Sequence, residues 1–151
     1  MGLDNFFYTK KFNNVDTDDY VYDDDEYTLE PCLYGGVELL DKGLDAGVRS
    51  SGCFRGKLYS DLFDLLLEDD RFTLYTEDYV QKEELETIVA IMSWTKKHLL
   101  EENGELWWKN YLEEHLSSSY KEFYDYETTL SFILMFEWYS QQENVVLGAW
   151  F

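Results

Sequence analysis

Proline occurs once, at Pro31, and cysteine only twice, at Cys32 and Cys53. Two thiols without CxxC spacing build no disulfide framework and no zinc ribbon; they fit free thiols in a reducing compartment. Bases are scarce as well, with 12 Lys and Arg against 32 Asp and Glu, a net charge of −20. Such a balance repels nucleic acid and anionic membranes, because both bind through neutralisation of their own charge. No apolar run approaches the roughly 18 residues of a membrane span. The nearest, LSFILMF at Leu130–Phe136, reads as buried helix. The start lacks a basic segment followed by an apolar one, so no signal peptide is expected and the chain reads as a soluble cytoplasmic protein.

Core-forming residues are plentiful: 45% of the 151 residues are apolar and 19% aromatic. That is too much for wholesale disorder and enough for one domain spanning 1–151. Charge is spread unevenly. Phe12 to Asp41 holds ten acids and no base, whereas Lys42 to Ser60 holds Lys42, Arg49, Arg55 and Lys57 against Asp45 alone. One short basic island thus interrupts an acidic protein.

Periodicity gives the elements. Phe6–Phe12 reads as a strand, 13–30 as a polar loop with a short strand at Tyr20–Tyr22, and 31–56 as glycine-punctuated loop. A helix follows over Lys57–Glu68, with Leu58, Leu62, Leu65 and Leu66 on one face. Phe72–Thr76 reads as a short strand or an extended lead-in. Asp78 and Gln81 resemble a capping box opening a long helix to Glu102, with the stripe Leu85, Ile88, Val89, Met92 and Leu99. Asn103-Gly104 stops it. Helices near Glu105–Leu116 and Tyr120–Gln142 come next, with Ser117–Ser119 as a turn or N-cap, and then a C-terminal strand in NVVLGAWF. The expected class is α+β: three to four helices and a small antiparallel sheet from the N- and C-terminal strands.

The stretch NNVDTDDYVYDDDEYTLE carries eight carboxylates and no base. It fails as an EF-hand, which needs oxygen donors at positions 1, 3 and 5, glycine at 6 and glutamate at 12. Counting from Asp16, the fifth, sixth and twelfth residues are Tyr20, Val21 and Tyr27; counting from Asp19, the third is Val21. Two readings remain besides a weak irregular metal site. One is a solvated acidic loop. The other is a surface that stands in for nucleic-acid phosphates before the arginines and lysines of a partner. Its contacts would be Asp16, Asp18, Asp19, Tyr20, Tyr22, Asp23, Asp24, Asp25 and Glu26, the tyrosines adding stacking area. Helix faces bearing Asp61, Asp64 and Glu68, or Glu83 and Glu86, would extend the array.

The basic island supports a different chemistry. SGCFRGK runs into a helix, so Arg49, Arg55 and Lys57 beside free amides would hold an anionic nucleotide or signal. It is no P-loop, because Leu58 stands where Ser or Thr is required. Pairing of Arg55 and Lys57 with nearby acids is the plainer expectation. Catalysis has little to work with: His98 and His115 read as exposed helix-end residues without triad or metal partners. The five tryptophans read as core, except that the WW pair cannot bury both rings, leaving Trp107 or Trp108 for an interface. No metal, no cofactor and no enzymatic activity are expected.

MGLDNFFYTKK, the Gly35-Gly36 pair and FRGKLYSDLFDLL resemble a loose group of short phage and bacterial proteins that begin MGLDN and carry FRGK-[VL]-Y before a helix. The likeness covers the first half of the chain. It implies a phage-encoded protein acting in host cytoplasm; the group has no assigned activity, so no functional residue carries over. By analogy, small acidic phage proteins include DNA-mimic anti-restriction and anti-CRISPR inhibitors. The expected function is therefore a non-enzymatic inhibitor that binds a basic host protein, such as a nuclease, with no direct nucleic-acid or membrane contact. A small-molecule binder using the FRGK loop is the alternative, and a metal-dependent hydrolase a third.

Overall fold

The computed structural model describes residues 3–12, 27–31, 48–50, 53–117, 119 and 121–150. Among them, five strands and four helices form an α+β fold. Strand β1 spans Asp4–Phe12 and alternates in burial: Leu3, Asn5 and Phe7 are buried, whereas Asp4, Phe6 and Tyr8 are only half-buried. This period of two is what a strand with one face on the core requires. β1 is the middle of the sheet. On one edge Asp4–Thr9 pairs with the C-terminal strand β5, Val145–Trp150. On the other edge lie two short partners, β4 (Cys53–Phe54) against Asn5 and Phe6, and β2 (Tyr27–Pro31) against Tyr8–Phe12. β3 (Val48–Ser50) pairs with β4, and every pairing is antiparallel.

The four helices are α1 (Gly56–Leu67), α2 (Lys82–Leu99), α3 (Gly104–His115) and α4 (Tyr126–Ser140), with a 3-10 turn at Lys121–Phe123 before α4. α4 is apolar nearly all round, as a helix enclosed on several sides must be. Phe7 of β1 stacks on Tyr139 at 4.2 Å, and Phe136 meets Phe7 edge-on at 5.3 Å. From α1, Tyr59 stacks on Phe132 at 5.0 Å. The sheet and α1 therefore clamp the same helix through aromatic pairs.

Several boundaries differ from the sequence reading, for local reasons. Val80 exchanges backbone hydrogen bonds with Leu147 of β5 at 2.8 and 3.0 Å. That bridge holds the chain extended up to Gln81, so the capping box is Gln81 with Glu84 and α2 starts there. α2 stops at Leu99, short of Glu102, and Asn103 takes a left-handed φ of 65° just before α3. Asp125, whose carboxylate accepts from the Thr128 amide at 2.8 Å, caps α4; the helix does not begin near Tyr120, and Ser117–Ser119 do not cap it. On α1 the buried face centres on Tyr59, Leu62, Phe63, Leu66 and Leu67, leaving Leu58 and Leu65 half-buried. Phe72–Thr76 is irregular, and β2, β3 and β4 occupy parts of the stretches expected to be loop.

One buried polar side chain ties this together. Asn5 donates from Nδ2 to the carbonyls of Leu74 (2.9 Å) and Gly148 (3.3 Å), fastening the 72–76 segment to β1 and β5. No helix among the described residues is long and apolar enough to cross a membrane.

Candidate functional site

The partner-binding residues expected from sequence, Asp16, Asp18, Asp19, Tyr20, Tyr22, Asp23, Asp24, Asp25 and Glu26, lie outside the described residues, as does the side chain of Arg49. Arg55 and Lys57 are both exposed at the start of α1. Among the described residues no carboxylate pairs with either side chain; most of the acids that precede them in sequence, the partners of the expected ion pairing, lie outside the described residues. The N-terminus of α1 has no side-chain cap and no acid in its first turn, and the Lys57 amide donates to the Leu3 carbonyl at 3.4 Å.

Elsewhere three cations are held in ion pairs. Arg71 pairs with Asp69 at 2.7 Å, Lys96 with Glu137 at 2.7 Å and Lys121 with Glu113 at 3.1 Å. The Arg71 guanidinium holds the Asp69 carboxyl below its ordinary range. Asp64 moves the other way: loss of water around its carboxyl raises it, and Asp61 and Asp70 push further in the same direction. Burial of Tyr111, then the charge and hydrogen bond of Glu68, raise the tyrosine hydroxyl. The carboxylates at the C-terminal end of α1 thus sit close enough to repel one another and reach α3.

α2 and α3 meet through a ring cluster that sequence reasoning largely missed. His98 stacks on Trp107 at 4.7 Å and meets Trp94 edge-on at 4.6 Å. Tyr111 continues the cluster at 5.2 Å from Trp107, and His115 lies 4.3 Å from Tyr111. His98 is thus half-buried among rings, and its Nδ1 faces Glu101 at 3.7 Å. The WW pair divides as expected, Trp108 buried and Trp107 half-buried. Trp94 and Trp150, expected in the core, are 52% and 72% exposed.

On the far side of α3 an open cleft of about 870 Å³ separates this helix from the 3-10 turn and the start of α4. Its floor is apolar, from Leu99, Trp108, Leu112 and Tyr124. Trp108 donates its indole N–H to the Tyr124 carbonyl at 2.8 Å, which satisfies the one polar group of the ring. The rim carries Glu101, Glu105, Glu113, Glu122 and Asp125 against Lys109 and Lys121. Leu106, at the mouth, is 59% exposed. The only sequence signals for this cleft were the WW doublet and the acids of α3; its other wall comes from residues 121–126, which no local period links to α3.

Among the described residues no three His, Cys, Asp or Glu side chains converge to hold a metal ion. Comparison with family models, curated proteins and solved structures gave no match.

Proposed function

We propose that the protein is a non-enzymatic acidic inhibitor that binds a basic, nucleic-acid-handling protein by presenting carboxylates where phosphates would lie. The observation that carries this reading is the acidic cleft: five rim carboxylates against two lysines, one of which is already bonded to Glu113. Helix α3, the 3-10 turn and the capped start of α4 place these charges at fixed spacing, which phosphate mimicry requires and a mobile acidic tail does not provide. The acidic stretch Asp16–Glu26 adds charge to the same molecule, and the net −20 steers basic partners from a distance. The first-half resemblance to phage and bacterial proteins directs the proposal to a host defence effector, such as a nuclease of an anti-CRISPR or anti-restriction target, in bacterial cytoplasm. Binding to such a nuclease should be tight at low salt, weaken steeply as salt rises, and compete with duplex DNA. An interaction indifferent to salt and to DNA would exclude mimicry.

A second reading rests on Arg55 and Lys57, exposed at the start of α1 and without an ion pair among the described residues. With Arg49, they would hold an anionic nucleotide or signal. Thermal stabilisation by nucleotides, lost on Arg55→Ala with Lys57→Ala, is the expected outcome; no stabilisation by any nucleotide removes this alternative.

A further inference from the structure

We propose that the cleft between α3 and the start of α4 is a docking groove for a basic amphipathic segment of the partner protein, with an apolar side chain on the floor and arginine or lysine on the rim. The inference rests on the reading of the protein as a binder of basic proteins, and it names the surface and the chemistry that surface selects.

Three observations fix the occupant. First, the floor presents no free polar group to an occupant: Leu99 and Leu112 are apolar, and the Trp108 N–H is already satisfied by Tyr124. Leu106 and Leu100 stand 59% and 60% exposed on the same helix-turn-helix corner, area that water leaves gladly when a partner covers it. Second, carboxylates stand on both banks, Glu105 from α3 and Glu122 from the 3-10 turn. Both are exposed, and among the described residues neither is held by a cation. Asp125, by contrast, is used in capping α4, and Glu113 by Lys121. Five acids against two lysines leave the rim at −3, which repels phosphates and free nucleotides. Third, at about 870 Å³ the cleft takes several side chains at once, within the range of ~300–1,000 Å³ seen for ligand sites. An arginine whose stem lies on the floor while its guanidinium forks onto a rim carboxylate uses both features together. Such a segment, docked as a helix in a groove, follows an established mode of recognition.

The test is fluorescence anisotropy with two labelled synthetic peptides: a helix-forming peptide with leucine on one face and arginine on the other, and its counterpart with glutamine in place of leucine. The first should bind the wild-type protein about tenfold tighter than the second. Leu106→Asp, and separately Glu105→Lys with Glu122→Lys, should each weaken it by roughly tenfold. All three positions are exposed, so the variants should stay folded, with melting temperatures within a few degrees of wild type even though Glu105 lies in the first turn of α3. Replacing Asp23, Asp24 and Asp25 with Asn and Glu26 with Gln should leave peptide binding within about twofold. Equal binding of the two peptides, or insensitivity to both groove variants, overturns the groove. If basic proteins are still captured at low salt in that case, the reading of an acidic binder survives it. If neither peptides nor basic proteins bind, both fail.

Discussion

Gly56 leaves no room for a methyl group. A Cβ built there would lie 1.9 Å from Asn5 Oδ1 and 2.7 Å from Leu3 Cδ2. Gly56→Ala should therefore force Asn5 off the Leu74 and Gly148 carbonyls and cost about 2–3 kcal/mol in urea unfolding. A cost near zero would mean that Asn5 is not fixed there. Asp64 makes a prediction of the opposite sign. Its carboxyl is raised, by lost hydration first and then by Asp61 and Asp70. A group whose folded pKa lies above its unfolded value adds stability when protonated and loses it as pH rises through the folded value. Asp64 therefore opposes folding at neutral pH, and the effect fades as pH falls through the upper carboxylate range. Because the residue is exposed, screening keeps the effect small: Asp64→Asn should raise the melting temperature by no more than about 2 °C at pH 7 and by nothing near pH 3. At this scale sequence served the polar residues poorly. Nothing around Asn5 marks it as buried; only the pleat of β1 turns it inward.

At the scale of elements, the helices were legible because their apolar stripes are local, and their ends were not. The stripe Leu85, Ile88, Val89, Met92 and Leu99 was readable, and all but half-buried Val89 are fully buried. The start of α2 depended on Val80 bonding to Leu147, a contact 67 residues distant that no local window contains. The short strands β3 and β4 escaped for a similar reason: two or three residues carry no period, and β4 is held by β1 and β3 in turn by β4. The α1 face was read in part: Leu62 and Leu66 are buried as expected, but Leu58 and Leu65 were followed where aromatic Tyr59 and Phe63 do the packing. Of the candidate site, the acids and the WW pair were legible, but the cleft they form was not. The cap of α4 supplies a prediction here. Asp125→Ala should cost about 1 kcal/mol, read as a lowered urea midpoint with unchanged slope. It should also loosen one bank of the cleft, where Asp125 sits.

At the scale of the whole molecule, a net charge of −20 acts on folding and on binding in opposite senses. Self-repulsion lowers stability and is screened by salt, so raising ionic strength from about 0.05 to 0.5 M should increase the melting temperature. The same change should weaken capture of a basic partner, since that attraction is screened too. A protein whose acidity served solubility alone would show the first effect without the second. The most direct measurement is to immobilise the protein, capture bacterial proteins at about 0.1 M salt, and challenge the complex with duplex DNA. If the account holds, the captured proteins bind nucleic acid and DNA releases them at constant salt; retention of every captured protein in the presence of excess DNA would contradict it.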